Sequence, residues 1–344
     1  GTSPSFVRHF EEYAHRCIER TVNGGTMQVL EIGSNDGTML KQFSKLGHKA
    51  LGVEPATKIA GEANAAGAKT LNEFFSVPLA ETVLDLYGPF QLVVANNVFA
   101  HIDDLHEVVS GVKRVLDEDG AFVFEVQYLG DLLEKTLFDT IYHEHLSFHA
   151  VAPLVGFFQT HDMEVFDVER VPTHGGSIRV WVKRAASQRF QTEGAKLAAI
   201  VEAERDAGVI GDKMVDRWNH FSVQVERAGS ELWSLLDELK TRDVEIVGYG
   251  APAKATTFCY AYGIGKDTLS YIVDDSPWKQ GLYLPGKHIP IVSSDRLYDA
   301  DKGHPDFIIV TGWNFAAEII AKHRALSAAG VHWITPLPNL VVTP

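Results

Sequence analysis

Between residues 28 and 126, short apolar runs alternate with stretches of helical periodicity. Five of these runs are predicted strands, at residues 29–32, 50–54, 69–71, 91–95 and 121–126. An amphipathic helix is predicted over residues 6–22, and another over 105–116 precedes the last of these strands. Apolar strands that alternate with helices predict a parallel, doubly wound α/β sheet.

The same pattern predicts how the rest of the chain is organised. Strands at 164–168 and 177–182 lack a full crossover helix between them, so we expect them to close the sheet as an antiparallel pair. Residues 190–242 combine helical periodicity with many charges and predict a helical connector. A second βα series follows, with predicted strands at 244–247, 270–273, 307–310 and 331–334 and a helix across 314–329. We therefore predict an α/β domain over residues 1–185, a connector over 186–242 and a smaller Rossmann-like domain over 243–344.

Composition narrows the classes of function. Thirty-one basic and 45 acidic residues give a formal charge of −14 over 344 residues, which argues against general nucleic-acid binding. Two cysteines without CxxC spacing exclude a disulfide framework and a cysteine-rich zinc site, and they fit a reducing compartment. No apolar run approaches the roughly 18 residues of a membrane span, so we expect a cytoplasmic protein that does not enter the membrane.

A glycine loop follows the first predicted strand, in the pattern Glu-x-Gly-x-x-x-Gly over residues 31–37. Glycines at a strand-to-helix turn let the backbone approach a ligand, and the helix N-terminus offers free N–H groups. The wider spacing differs from the GxGxxG of dinucleotide loops and favours a ligand without a pyrophosphate, such as S-adenosylmethionine (SAM). Glu54 ends the next strand, where an acid can accept both ribose hydroxyls. The residues predicted to bind this cofactor here are Glu31, Gly33, Asn35, Asp36, Gly37 and Glu54. An ordinary βα turn is the alternative.

Three further segments carry a resemblance to one family. Residues 6–184 resemble class I SAM-dependent methyltransferases, and residues 95–102 (ANNVFAHI), 142–149 (YHEHLSFH) and 174–179 (HGGSIR) are similar to C-methyltransferases of nucleotide-linked keto-deoxysugars. The resemblance implies SAM as cofactor and a dTDP-linked 4-keto-deoxysugar as substrate. Members of that family usually carry an N-terminal zinc domain with four cysteine ligands, which this sequence does not contain. Either that domain has been removed or the protein is a shorter relative with different substrate contacts.

Polar residues after the fourth predicted strand are candidates for ligand contacts. His101, Asn96 and Asn97 lie on a loop where this fold places substrate groups. We predict that Asn96 binds the methionine part of SAM, that Asn97 binds the sugar and that His101 polarises it. For each asparagine, a helix-cap or turn role is the alternative. His174 begins a Gly-Gly turn, and the resemblance implies that it lines the substrate site.

The segment 142–149 supplies the predicted acid–base groups. C-methylation beside a ketone needs a base that removes the α-proton and a donor that stabilises the enolate oxygen. We assign the base to His145, since imidazole titrates near neutral pH, and binding or polarising roles to Tyr142 and Glu144, the latter also able to orient His145. Tyr142, His145 and His149 share one face if the segment is helical, whereas an extended chain groups Tyr142 with Glu144. We predict no bound metal and structural roles for His143 and His149; a site of imidazole and carboxylate ligands in this segment is the alternative.

A second glycine loop, at residues 248–253, leaves the function of the C-terminal domain open. Gly250 and Lys254 lie where a helix N-terminus could hold the diphosphate of a nucleotide sugar. Asp274 follows 26 residues after Gly248, so a nicotinamide-dependent oxidoreductase using the GxGxxA pattern is one alternative function. A non-catalytic protein that binds a nucleotide or carbohydrate is another. The favoured prediction is a SAM-dependent C-methyltransferase with a small nucleotide-sugar substrate; the sequence does not indicate an oligomeric state.

Overall fold

A computed structural model of the chain describes residues 4–22, 24–301 and 303–344. The chain divides into two compact units. The first comprises the residues up to Gly130 together with Leu146–Lys213, and the second comprises Asp131–His145 together with Met214–Pro344. The domain boundaries predicted at residues 185 and 242 remain a prediction. The division assigns the 131–145 segment to the same unit as the C-terminal part of the chain.

The described part of the first unit contains one mixed sheet of seven strands. They are β1 (Gln28–Ile32), β2 (Lys49–Val53), β3 (Thr70–Leu71), β4 (Phe90–Asn96), β5 (Leu116–Gln127), β6 (Met163–Val171) and β7 (Ser177–Arg184). Their spatial order is β3-β2-β1-β4-β5-β7-β6, with β1 to β5 parallel and β7 antiparallel to both β5 and β6. The predicted doubly wound sheet with a closing antiparallel pair is confirmed.

Helices cover both faces of this sheet. They are α1 (Pro4–Thr21), α2 (Thr38–Lys45), α3 (Thr57–Ala65), α4 (Val77–Tyr87), α5 (Leu105–Val115), α7 (Val151–Gln159) and α8 (Gly194–Asp206), while α6 (Leu129–Glu134) crosses from the first unit into the second. Because side chains alternate along a strand, Val29 packs with Tyr13 and Phe43 on one face, whereas Leu30 packs with Val112 on the other. Because β1 lies between β2 and β4 and is parallel to both, the carboxyl ends of these three strands meet at one edge of the sheet.

The described part of the second unit has a sheet of six strands, five of them parallel, in the order β10-β9-β8-β11-β12-β13. The strands are β8 (Ile246–Tyr249), β9 (Ile272–Val273), β10 (Ile291–Val292), β11 (Phe307–Val310), β12 (His332–Thr335) and β13 (Val341–Thr343). The helices are α9 (Met214–Lys240), α10 (Ala253–Ala261), α11 (Ala316–Lys322) and α12 (Arg324–Ala328). Among the described residues, no helix of either unit has the length and apolar character needed to cross a membrane.

Two predictions for the second unit differ from the structure. The helix expected across 314–329 is broken at His323, whose ring is buried and lies 2.8 Å from the Tyr249 hydroxyl and 2.7 Å from the Tyr298 hydroxyl. The backbone at His323 is non-helical (φ −108°, ψ 27°). The edge strands β10 and β13 were not predicted because two or three residues carry too little periodicity.

Candidate active site

The first glycine loop joins β1 to α2, and its two glycines are sterically required. Gly33 has φ +67°, and a Cβ added there would lie 2.4 Å from Val98 Cγ2. Gly37 has φ +72°, and its Cβ would lie 2.3 Å from the Cβ of Ala68. Both the left-handed backbone and the close contacts exclude a larger residue without rearrangement. The two glycines are therefore required by the packing of the loop against Val98 and Ala68.

Polar side chains within the loop hold its shape. Asp36 Oδ1 accepts hydrogen bonds from the N–H (3.1 Å) and the hydroxyl (2.6 Å) of Thr38. Asn35 Oδ1 accepts from the Asp36 N–H at 2.8 Å, and the Asn35 N–H donates to Glu54 Oε2 at 3.0 Å. Glu54 Oε1 accepts from Ala56 N–H at 2.9 Å. The Glu54 carboxylate thus ties the loop to the end of β2, and its remaining lone pairs can still accept ribose hydroxyls.

Three buried polar atoms at this edge have no hydrogen-bond partner among the described residues. They are Glu31 Oε2, Ser34 Oγ and Asn96 Nδ2. Burial, with Asp36 and Glu54 as minor contributors, raises the pKa of Glu31 well above its usual value. A buried polar group without a hydrogen bond lowers the stability of the folded protein. A carboxylate, a hydroxyl and an amide without partners at one place therefore fit a ligand that brings both donors and acceptors. The ammonium and carboxylate of a methionyl group provide both, so these residues fit SAM.

Ser34 is the residue at this edge that sequence analysis did not select. Its side chain is buried, with 2% of its surface exposed. Its place inside the Glu-x-Gly-x-x-x-Gly loop is the signal that could have identified it. The other residues predicted to bind the cofactor all lie at or next to the carboxyl ends of β1, β2 and β4. They are Glu31, Gly33, Asn35, Asp36, Gly37, Glu54 and Asn96. Their roles in binding remain proposals.

The other predicted site residues of the first unit lie on loops beyond the sheet. Asn97 directly follows β4 with φ +54°, and its amide Nδ2 donates to Asn96 Oδ1 at 3.0 Å. His101 is exposed at the end of a 3₁₀ turn, Phe99–His101. His174, also at positive φ, packs against Phe6 with ring centroids 5.4 Å apart and an interplanar angle of 50°. Their predicted contacts with substrate also remain proposals.

His149 belongs to the first unit and is buried. Its Nε2 lies 3.0 Å from the Ser147 hydroxyl, and its ring lies 5.9 Å from that of Phe99. Burial lowers the pKa of His149 to about 4. The imidazole is therefore neutral at neutral pH, in agreement with a structural role.

We expect His149 to make the first unit sensitive to acid. Its pKa is about 6.5 in the unfolded chain and about 4 in the folded one, so between these values the unfolded state binds the extra proton and stability falls as pH falls. The difference amounts to about 3 kcal/mol at pH 4. His149→Gln cannot titrate there, so its urea-unfolding free energy should fall less between pH 7 and pH 4 than that of wild type. The exposed His143→Gln serves as the control, and an equal pH response in wild type and His149→Gln would contradict the assignment.

In the second unit, a tight turn brings Tyr142 and His145 together. The His145 N–H donates to the Tyr142 carbonyl at 3.0 Å, and the two rings lie 4.3 Å apart between centroids. The His145 Nδ1 lies 2.6 Å from the carbonyl oxygen of Thr140. A carbonyl can only accept, so Nδ1 carries the proton and Nε2 is the basic nitrogen of the ring. This fixed tautomer is what a general base requires.

The helical alternative for this segment is wrong, because residues 141–149 form turns and irregular structure. His149 consequently does not share a helical face with Tyr142, and it belongs to the other unit. The group that accepts from His145 Nδ1 is Thr140, a residue that sequence analysis did not select; Glu144 is exposed. Burial and then the Glu144 charge raise the pKa of Tyr142, so its phenol remains a donor. Among residues 4–22, 24–301 and 303–344, no three His, Cys, Asp or Glu side chains are grouped to hold a metal ion.

The second glycine loop is bonded by side chains from elsewhere in the second unit. The Ala251 N–H donates to Asp274 Oδ2 at 2.7 Å, and the Ser276 N–H donates to Asp274 Oδ1 at 2.8 Å. The hydroxyl of Thr311 donates to the Gly250 carbonyl. In a dinucleotide site, the acid in the position of Asp274 would accept ribose hydroxyls. Both oxygens of Asp274 accept backbone N–H groups, as both oxygens of Glu54 do, so these bonds do not distinguish the nicotinamide alternative from the favoured prediction.

Lys254, at the start of α10, directs its amino group into the unit. Its Nζ donates to Asn314 Oδ1 and lies 4.0 Å from the centroid of the Trp313 ring. Burial lowers the pKa of Lys254 to about 8, and the nearby Asp139 carboxylate acts in the opposite direction. The contacts of Gly250 and Lys254 with a diphosphate remain a prediction.

Comparison with known proteins agrees with the geometry. Residues 6–168 match the model of a methyltransferase domain, and residues 172–338 match the model of a C-methyltransferase C-terminal domain. The chain is 34% identical over 336 residues to the C-methyltransferase NovU of Streptomyces niveus, covering 97% of this chain and 78% of that protein.

Solved structures of methyltransferases are more distant. Magnesium protoporphyrin IX methyltransferase (ChlM) from Synechocystis PCC 6803 with bound SAH is 14% identical, covers 52% of this chain and 83% of its own, and has a TM-score of 0.41. The ribosomal protein L11 methylase from Lactobacillus delbrueckii subsp. bulgaricus is 17% identical, with 53% and 80% coverage and a TM-score of 0.37. The family matches and the sheet with its glycine loop together identify the chain as a member of the C-methyltransferase family.

Proposed function

We propose that this C-methyltransferase acts on a nucleotide-linked 4-keto-deoxysugar, which we take to be dTDP-linked, and methylates the carbon beside the ketone. The observation that carries the proposal is the hydrogen bond from His145 Nδ1 to the Thr140 carbonyl, with the Tyr142 ring packed against the same imidazole at an interplanar angle of 38°. Together they provide a base of fixed tautomer and a phenolic donor in one turn. Carbon methylation beside a ketone needs both groups.

His145 is the proposed general base. Its Nε2 removes the α-proton of the ketone, and the electron pair of the broken C–H bond moves to form an enolate. Because Nδ1 donates to a backbone carbonyl, the ring keeps one tautomer and one orientation, and Nε2 is available as the base. A positioned base of this kind contributes about 100-fold to 10,000-fold to the rate.

Tyr142 is the proposed donor to the enolate oxygen. Its raised pKa keeps the phenol protonated well above neutral pH, so it can donate as negative charge develops on that oxygen. Glu144, exposed beside it, and His101 on its 3₁₀ turn are proposed to bind or polarise the sugar.

Glu31, Ser34 and Asn96 are proposed to bind the methionyl end of SAM, and Glu54 its ribose. When bound, SAM supplies an electrophilic methyl group on a sulfonium. The acids at this edge tolerate a cationic ligand, which agrees with a chain of net charge −14. The nucleotide-sugar class is supported by the sequence resemblance, and the C-methyl outcome agrees with the name of the NovU relative.

The test is to incubate the enzyme with methyl-¹³C SAM and a dTDP-4-keto-deoxysugar and to analyse the product by NMR. We expect the labelled methyl group to be attached to the sugar carbon beside the ketone, seen as a correlation from the methyl protons to the carbonyl carbon, which the reaction leaves in place. The same sugar without the 4-keto group should not react, because its α-proton is not acidic. A label attached to oxygen, or transfer to the deoxy control at an equal rate, would contradict the proposal.

A further inference from the structure

Beneath the turn that carries His145, a carboxylate is buried without a role in the chemistry described above. Asp139 has no exposed surface, and its Oδ1 has no hydrogen-bond partner among the described residues. Its Oδ2 accepts a hydrogen bond of 2.6 Å from the indole N–H of Trp313. Burying a carboxylate with one oxygen unsatisfied costs free energy that an apolar residue would not. Such a residue is more readily explained by function than by stability.

Asp139 lies in the middle of the 3₁₀ turn Phe138–Thr140, next to the residue whose carbonyl holds His145. This turn packs on α10. The Phe138 ring lies 5.0 Å from that of Tyr262, and the Tyr262 carbonyl accepts from the indole N–H of Trp233 at 2.6 Å. The turn is therefore fixed on one side by aromatic packing, and the Trp313 hydrogen bond fixes it at its centre.

Lys254 provides the compensating charge. Its ammonium lies over the ring of Trp313, donates to Asn314 and interacts electrostatically with Asp139. Burial raises the pKa of Asp139, while Lys254, the Trp313 hydrogen bond and, to a smaller extent, the backbone N–H groups of Asp139 and Thr140 act against that rise. The four side chains thus form one cluster, in which Asp139 and Trp313 are buried and the other two are half-buried. We call it the Asp139 cluster: Asp139, Lys254, Trp313 and Asn314.

We propose that Asp139 is a positioning residue for the base. Its carboxylate, held by Trp313 and Lys254, fixes the turn so that the Thr140 carbonyl meets His145 Nδ1 and selects the Nδ1–H tautomer. The consequence for catalysis rests on the proposed role of His145, whereas the effect on the tautomer does not. Lys254 in this arrangement serves the protein's own turn through its charge.

The chain offers a matched pair of variants to test this. Trp313→Phe removes the indole N–H that donates to Asp139 and keeps an aromatic ring. Trp333→Phe is the control, because Trp333 is also buried in the second unit and its indole N–H donates to Ser327 Oγ at 2.9 Å, outside the cluster. Asp139→Ala removes the acceptor, and the double variant Trp313→Phe/Asp139→Ala shows whether the two act as a unit.

The first measurement is ¹⁵N NMR of the full-length protein labelled at histidine, with the His145 signals assigned by His145→Asn. We expect wild type and Trp333→Phe to show the fixed Nδ1–H tautomer, and Trp313→Phe and Asp139→Ala to show tautomer exchange. An unchanged His145 tautomer in folded Trp313→Phe and Asp139→Ala would overturn the proposal, whatever happens to activity.

The second measurement is turnover, and it separates this inference from the proposed function. We expect kcat to fall about 10-fold to 100-fold in Trp313→Phe with little change in KM, since a small misplacement of a catalytic group has effects of this size. The double variant should lose no more than the worse single variant. If kcat falls equally in Trp333→Phe, or falls only in proportion to the fraction of folded protein, Asp139 has a structural role and the positioning role is refuted. If wild type turns over no keto-sugar while the tautomer still responds, the proposed function fails and the positioning role stands.

Discussion

His145→Asn is expected to lower kcat for C-methylation by about 100-fold to 10,000-fold, the range for loss of a general base. Asparagine can still donate to the Thr140 carbonyl, so the turn should remain in place while the basic nitrogen is gone. The SAM-contacting residues proposed above lie in the other unit, and SAM affinity measured by calorimetry should be unchanged. Steady-state kinetics with a dTDP-4-keto-deoxysugar provides the rate.

The matched control is His143→Asn, two residues away and exposed. It should retain nearly full activity, because no catalytic role is assigned to it. Equal losses in both variants would mean that the segment is sensitive to any change, and retained turnover in His145→Asn would refute the assignment of the base.

Glu31→Gln is the second substitution with a large expected effect, and it should act in opposite directions on SAM binding and on stability. A hydrogen bond to a charged partner contributes about 1.5–3 kcal/mol, so loss of the carboxylate should weaken SAM binding about 10-fold to 100-fold. The unliganded protein should become more stable. Burial raises the pKa of Glu31, so ionising it in the folded state costs free energy that glutamine avoids.

The sign of the stability change can be checked by its pH dependence. A raised pKa of an acid means that the folded state binds the proton more tightly, so the contribution of Glu31 to the unfolding free energy decreases as pH rises above about 4.5. The gain in unfolding free energy of Glu31→Gln should therefore be present at pH 7 and vanish in acid. Glu62→Gln, an exposed change on α3, should affect neither quantity. A less stable Glu31→Gln protein with unchanged SAM affinity would contradict the assignment.

The sheet of the first unit could be predicted because its strands are apolar runs that tertiary contacts do not override. The glycine loop was equally accessible, since Gly33 and Gly37 have positive φ and no space for a side chain. In both cases the sequence pattern reflects a local steric or burial requirement. Short edge strands and the break at His323 depend on partners distant in sequence, and the pattern does not contain them.

The catalytic turn shows the same limit within the candidate site. The residue types of 142–145 indicated acid–base chemistry, but the spacing did not decide between a helix and an extended chain. The structure has a turn, in which a backbone carbonyl, that of Thr140, accepts from His145. Every residue has a backbone carbonyl, so the residue type at position 140 does not indicate that this carbonyl is the acceptor. Asp139 and Trp313 are 174 positions apart, so their contact also could not be anticipated from either local sequence.

The central claim is that His145 removes the proton beside a ketone, and α-proton exchange in D₂O tests it most directly. The enzyme is incubated with a dTDP-4-keto-deoxysugar and with S-adenosylhomocysteine in place of SAM, and deuterium at the carbon beside the ketone is followed by NMR. We predict exchange at that one position with wild type and His143→Asn, and exchange no faster than the enzyme-free background with His145→Asn. Equal exchange in wild type and His145→Asn would contradict the account.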